Sequence, residues 1–267
     1  MTNSAEAVGN SAANAARWGA LAVGDLTELP RARTEAINLV QWLARIANSY
    51  VSDGAPERHT DLEFRAVDAA FATKQFANGI ALELRLPSLE LQFLDNGKSV
   101  PHIFDPEEHS PAEVEAWILV ELLHRGVDRE RFSKELPYKI TGLMTGDAED
   151  HSPQSLHHGL TQLKVWFQGA AAVLDAAARA SGADRPSIMC LPQTLDLSCA
   201  PKPGAKHAEL GFSPGDAQNQ EPYFYAYSNA ISSAAGSRKR VVLQGSTVFA
   251  QSDPAAAAIM LVNSAPG

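Results

Sequence analysis

The chain has 267 residues, 45% of them hydrophobic, which is enough to bury one large core or two modest ones. Its formal net charge of −9 argues against a nucleic-acid partner, because phosphate binding requires a basic surface. We expect no membrane span and no signal peptide, because charges interrupt every apolar stretch short of roughly 18 residues, and we therefore predict a cytoplasmic protein.

The N-terminal part of the chain predicts a tail followed by a helix. Residues 1–17 are rich in Ala, Asn and Ser without hydrophobic periodicity, which is typical of a mobile tail. Apolar residues then recur at helical spacing, and Thr34 is the predicted N-cap of this first helix. The helix is expected to end in 52–56, where Ser, Asp, Gly and Pro follow one another.

A change of period marks the next segment. Apolar and polar residues alternate through 62–104, which predicts an antiparallel meander with a hairpin turn at Asp95-Asn96-Gly97. Ser110-Pro111-Ala112-Glu113 then has the residues of a helical capping box with proline at the first position. The helix is predicted to end at His124-Arg125-Gly126, since basic residues and glycine favour a C-terminus.

The longest predicted helix begins near Gln154 and ends at Ser181-Gly182. The strands predicted after it are 188–191, 195–199, 207–212, 223–227 and 240–250. We interpret the basic run Arg238-Lys239-Arg240 as a solvated turn before the last of these strands. Asp253-Pro254 predicts the start of a final helix.

These elements predict an α+β fold in which helices pack on one face of antiparallel sheets. A helix containing tryptophan, then strands, then a proline-capped helix occurs twice along the chain. This order suggests a pseudo-duplication, with similar halves at about 34–126 and 154–265 inside a single domain 18–267. Coincidence between common element types is an equally good explanation.

The segment 211–227 has the highest density of aromatic residues in the chain. Ser213-Pro214-Gly215-Asp216 predicts a turn, because proline presets φ and glycine accepts a positive φ. Tyr223, Tyr225 and Tyr227 alternate along the strand that follows, so their phenols share one face. We name these three residues the phenol row. The row predicts an aromatic-lined pocket, although aromatic residues also favour strands for packing alone.

We expect the protein to bind a small non-nucleotide molecule in that pocket. The predicted ligand-binding residues are Phe212, Ser213, Asp216, Tyr223, Tyr225, Tyr227 and His59. The first alternative is a hydrolase or isomerase in which Asp196 or Asp216 pairs with His158. For the two carboxylates, a solvent-facing strand position and a turn are the simpler explanations. The second alternative is an assembly or scaffold protein, for instance a homodimer.

The sequence predicts neither a metal site nor a cofactor. Cys190 and Cys199 have no histidine at metal-ligand spacing, and we interpret them as small buried residues in a reducing compartment. His151, His157 and His158 lack the i, i+4 spacing of a helical zinc site, so surface positions are the simpler interpretation. The glycine-rich nucleotide motifs and the nucleophile elbow are absent from the sequence.

The segment Gly211–Tyr227, GFSPGDAQNQEPYFYAY, resembles a block in a family of uncharacterised bacterial proteins, a domain of unknown function with an SPGD and then a PYFY string. The resemblance extends over most of the chain. The family's Pro-His-His-Phe-Asp-Leu strand corresponds to Pro192–Leu197, where both histidines are replaced. His59 and His151 lie where the family has histidines. The family's activity is undefined, so the resemblance implies the fold and leaves the chemistry open.

Overall fold

The computed structural model describes residues 25–51, 58–231 and 238–264, which form five α-helices and ten strands. The chain divides into two compact units. The first unit contains Thr27–Lys164 and Met189–Asp196, and the second contains Val165–Ile188 and Leu197–Gly267. The tail predicted for 1–17 lies outside the described residues.

The first unit combines a meander of strands with helices. Its strands are β1 (Leu62–Arg65), β2 (Ala70–Ala72), β3 (Ile80–Arg85), β4 (Leu91–Asp95), β5 (Lys98–Ser99) and β6 (Met189–Leu191). They lie in the order β6-β1-β2-β3-β4-β5, and each neighbouring pair is antiparallel. Its helices are α1 (Leu29–Tyr50), α2 (Pro111–His124) and the first residues of α3 (His157–Ala180).

The structure confirms the predicted meander and α2, and contacts between residues close in sequence set both. The hairpin between β4 and β5 turns at Asn96 and Gly97, which have φ values of 47° and 77°. The Ser110 side chain accepts a hydrogen bond from the backbone N–H of Glu113, whose carboxylate accepts from the N–H of Ser110. This reciprocal cap fixes where α2 begins, and Gly126, with φ 66°, follows its end.

The prediction that Thr34 caps α1 is wrong. The helix begins five residues earlier, at Leu29, with Pro30 in its first turn. Thr34 lies inside the helix, where its hydroxyl donates to the Pro30 carbonyl at 3.0 Å. Proline is favoured in the first turn because it has no N–H to leave unsatisfied, so Pro30 was the better start signal. The predicted end falls on residues 52–56, which the structure does not describe.

A buried amide connects α1 to the segment that follows β6 in the first unit. Gln41 of α1 is fully buried, and its Nε2 donates to the Pro192 carbonyl at 2.7 Å. Its Oε1 accepts from the Tyr138 hydroxyl at 2.7 Å. Burial raises the pKa of Tyr138, so this hydroxyl remains a donor far above neutral pH.

The second unit contains four strands and two further helices. These elements are β7 (Asp196–Cys199), β8 (His207–Ser213), β9 (Tyr223–Ile231), β10 (Arg238–Gln244), α4 (Gly245–Phe249) and α5 (Pro254–Asn263). The strands are antiparallel in the order β10-β9-β8-β7. Aromatic side chains form the core between α3, β8, β9 and α4, namely Trp166, Phe167, Phe212, Phe224 and Phe249. Asp253 caps α5 by accepting from the Ala256 N–H, as predicted.

Two predictions about the end of this unit are wrong. The strand predicted for 240–250 stops at Gln244, because the chain turns into α4. Gly245 donates to the Pro222 carbonyl at 2.8 Å, and a Cβ on it would lie 2.5 Å from the Trp166 ring, so only glycine fits there. The basic run 238–240 is also part of β10 rather than a turn before it.

The α+β fold class is confirmed, with helices packed against antiparallel strands. The duplication of the two halves stays a prediction. Both compact units are discontinuous in sequence. Among the described residues, no helix has the length and hydropathy needed to cross a membrane. Cys190 and Cys199 are free and buried, as predicted, and burial raises the pKa of Cys199 to about 12.

Candidate functional site

A cluster of charged and titratable side chains lies at the C-terminal end of α2. Glu121 and His124 are three residues apart and therefore lie on one side of the helix. Arg125 caps the helix, and its Nη1 donates both to the Glu121 carbonyl, at 2.8 Å, and to the Glu121 carboxylate. A carboxylate in the last turn faces the negative end of the helix dipole, so it needs cationic partners.

Glu121 is buried, with 3% of its surface exposed. Arg125 binds its Oε2, while Oε1 lies 3.4 Å from His102 Nδ1 and 3.6 Å from His124 Nδ1. The Arg125 guanidinium also lies over the Phe93 ring, with 4.5 Å between Cζ and the ring centroid. Arg125 thus holds one carboxylate oxygen in place and leaves the other facing two imidazoles.

His102 reaches the cluster from the segment between β5 and α2. Its backbone has φ 73°, a left-handed conformation that few non-glycine residues adopt. The side chains of His102 and His124 are 68% and 58% exposed, in contrast to the buried carboxylate. The ligand atoms of the three residues lie within 4.8 Å of one another. We name His102, Glu121 and His124 the carboxylate–imidazole cluster.

The carboxylate–imidazole cluster borders a cavity of about 760 Å³ that is widely open to solvent. The cavity has an apolar part formed by Ile80, Val100 and Pro101 from β3 and the segment after β5. Polar side chains line the remainder, among them Asn78 and Asp95. Binding sites for small molecules commonly combine an apolar wall with a few convergent polar groups.

Sequence reasoning did not identify this cluster. Glu121 and His124 form a Glu-x-x-His pair on a helix, a spacing that metal sites in helical bundles use. That pair was the one available signal. His102 comes from a loop, and nothing in the sequence predicts its approach to Glu121.

The phenol row lies on β9, where Tyr223 and Tyr225 are each 3% exposed. The Tyr223 hydroxyl donates to Asp216 Oδ2 at 2.7 Å and accepts from Arg240 Nη2 at 3.1 Å. Burial raises the pKa of Tyr223, and the bond to Asp216 raises it further, whereas Ser213 and Arg240 lower it. The structure therefore brings Ser213, Asp216 and Tyr223 together.

The faces of the phenol row are covered by an arginine. The guanidinium of Arg240 lies 5.2, 4.6 and 5.8 Å from the ring centroids of Tyr223, Tyr225 and Tyr227. Gly211, opposite Tyr225 on β8, has no side chain, and a Cβ there would lie 2.0 Å from the Tyr225 ring. Arg240 thus covers all three rings, and Tyr225 also packs over Gly211 within the same sheet.

The remaining predicted site residues lie on separate elements. Phe212 is fully buried in the aromatic core beside Trp166. His59 precedes β1, and its Nε2 lies 2.8 Å from Asn48 Oδ1. His158 is exposed in the first turn of α3, and Asp196 begins β7. Asp216 serves its turn by accepting from the backbone N–H groups of residues 218 and 219.

The surface position predicted for His151 is wrong. This residue is 1% exposed, and its Nδ1 lies 2.9 Å from Glu35 Oε1 of α1. Its backbone also pairs with Glu108 and His109, which places the ring inside the first unit. His157 and His158 are exposed, as predicted.

No family model, no curated protein and no solved structure matches this chain. The resemblance of Gly211–Tyr227 to a family of uncharacterised bacterial proteins therefore stays a prediction.

Proposed function

We propose that this protein binds a small non-nucleotide molecule in the cavity beside Glu121. The observation that carries the proposal is a buried carboxylate that faces two exposed imidazoles at the edge of a cavity with an apolar wall. The cavity volume of about 760 Å³ lies inside the range of roughly 300–1,000 Å³ that is typical of ligand pockets. Two free, buried cysteines support a cytoplasmic location.

The chemistry of the lining indicates the kind of molecule. Ile80 and Val100 favour an apolar body, while His102 and His124 offer ring nitrogens for hydrogen bonds to a hydroxyl or carboxylate. The Arg125 guanidinium already binds the Glu121 carboxylate and lies over the Phe93 ring. We therefore expect Arg125 to hold Glu121 in position rather than to bind the ligand. We therefore expect a compact molecule with a polar group at one end.

The phenol row is the location that the sequence predicts, and the geometry supports it less well. A ligand stacked on the row would have to displace the Arg240 guanidinium from three rings. It would also compete with the hydrogen bond between Tyr223 and Asp216. An Asp/His hydrolase or isomerase and an assembly protein stay predictions from the sequence alone.

The experiment is a thermal-shift screen of the full chain against small hydroxy acids, carboxylates and amines. A ligand at about a hundred times its dissociation constant stabilises the folded state by about 2.7 kcal/mol, which is readily measured. Val100→Trp adds an indole ring at the apolar wall of the cavity and keeps the backbone bond from the Val100 N–H to Phe93. Val67→Trp is the matched control, since Val67 is 93% exposed and does not line the cavity.

We expect Val100→Trp to remove the shift given by the best compound and Val67→Trp to retain it. Equal shifts in both variants would contradict the cavity as the site. A shift that Tyr223→Phe abolishes and Val100→Trp leaves intact would instead place the ligand at the phenol row. If no compound stabilises the wild-type chain at about 1 mM, where even weak ligands bind, the proposal is wrong.

A further inference from the structure

We propose that His102, Glu121 and His124 form a zinc site at the edge of the cavity. Two imidazole nitrogens and one carboxylate oxygen are the donor set that zinc takes in sites with an open fourth position. Magnesium and calcium prefer oxygen ligands alone, so the two histidines select against them. The zinc site lies at the cavity of the proposed function, but zinc binding does not require the small molecule to bind there.

The distances in the cluster suit a shared cation better than direct hydrogen bonds. Glu121 Oε1 lies 3.4 Å and 3.6 Å from the two Nδ1 atoms, beyond the usual hydrogen-bond range. Two ligand atoms at about 2.05 Å from a tetrahedral zinc ion are about 3.3 Å apart. The two separations from Glu121 are already close to this value, and the two histidine ligand atoms lie within 4.8 Å of each other, so zinc binding requires the two exposed imidazole rings to turn towards each other.

The surroundings of the cluster also favour a cation. The cluster lies at the C-terminal end of α2, a 14-residue helix whose dipole has its negative end there. Arg125 binds Oε2 of Glu121 and so orients Oε1 towards the imidazoles, as outer partners of metal ligands commonly do. Because Arg125 also offsets part of the carboxylate charge, we expect micromolar rather than nanomolar affinity.

A zinc ion here would present its fourth position towards the cavity. A carboxylate or hydroxyl of a bound molecule could then complete the coordination sphere, with the apolar wall at Ile80 and Val100 contacting the remainder. The zinc site thus deepens the proposed function by naming the class of polar group that the ligand carries.

The test is calorimetric titration of the full chain with zinc chloride, and separately with magnesium chloride, without any organic compound. The wild-type chain is expected to bind one zinc ion and no magnesium. His102→Ala and His124→Ala should each weaken zinc binding by about tenfold or more. Both side chains are mostly exposed, so these variants are expected to fold. The matched control is His158→Ala, an exposed helix histidine outside the cluster.

The proposal is overturned if the wild-type chain binds no zinc at about 1 mM, far above a micromolar dissociation constant. It is also overturned if either His102→Ala or His124→Ala retains wild-type affinity, or if His158→Ala weakens binding as much as they do. Since no organic ligand is present, failure here leaves the cavity proposal intact. A failed compound screen likewise leaves a positive zinc titration intact.

Discussion

Replacing Glu121 by glutamine tests how much the buried ion pair contributes to the stability of the fold. The substitution keeps the shape of the side chain and removes the charge that Arg125 pairs with. Breaking a fully buried pair costs about 3–5 kcal/mol, because it leaves one charge without a partner. Arg125 retains 15% side-chain exposure and can reach some water, so we expect a loss of about 2–3 kcal/mol.

The chain offers a control with the same spacing. Asp175 and Arg179 also form an i, i+4 pair, but their side chains are 42% and 56% exposed. Water screens such a pair, so Asp175→Asn should leave the stability unchanged within experimental error. Differential scanning calorimetry at neutral pH compares the two variants directly. For Glu121→Gln we expect the melting temperature to fall by about 5–10 °C. If the two variants melt at the same temperature, the argument from burial is wrong.

Three further predictions concern the second unit. Gly211→Ala should lower the free energy of unfolding in urea by about 1–3 kcal/mol, because the new Cβ overlaps the Tyr225 ring. If Gly211→Ala costs as much in a chain that already carries Tyr225→Ala, that overlap is not the cause. Tyr223→Phe should cost about 1–3 kcal/mol in chemical denaturation through the lost bonds to Asp216 and Arg240, and no loss would show that these bonds contribute nothing to stability. The raised pKa of the Cys199 thiol makes folding less favourable as the pH rises from about 9, where the unfolded thiol ionises, to about 12. Cys199→Ala should therefore make the pH dependence of unfolding less steep in that window, where the buried Cys190 thiol, whose pKa is also raised, still contributes; an unchanged slope would refute the assignment.

Much of the fold could be predicted because local chemistry sets it. The capping box at Ser110 and Glu113 places the start of α2, and the Asn96-Gly97 turn fixes the hairpin between β4 and β5. In each case the residues that determine the element are neighbours in sequence. Helix α5, with its cap at Asp253, follows the same rule.

Two of the wrong predictions arose where contacts distant in sequence decide the structure, whereas the start of α1 had a local signal in Pro30. The apolar run after Arg240 is compatible with a strand, but Trp166 and the Pro222 carbonyl hold Gly245 at the turn into α4. A surface position was predicted for His151 because the histidines near α3 lack metal-ligand spacing, but Glu35 of α1 binds His151 inside the first unit. Hydrophobic periodicity carries no information about contact partners that lie tens of residues away in the sequence.

The same limit applies to the candidate site. Alternation correctly placed the phenols on one face of β9, yet the covering of that face by Arg240 depends on the pairing of β9 with β10. The carboxylate–imidazole cluster depends on a left-handed residue, His102, meeting the end of α2. Neither the contact of Arg240 with the phenol row nor that of His102 with Glu121 can be recognised as a pattern in the sequence.

The most direct test of the central claim is the crystal structure of the wild-type chain soaked with the strongest compound from the screen. We predict density for the compound in the cavity, in contact with Val100 on its apolar side and with His124 on its polar side. Density at the phenol row, with the Arg240 guanidinium displaced and the cavity beside Glu121 free of compound, would contradict the account.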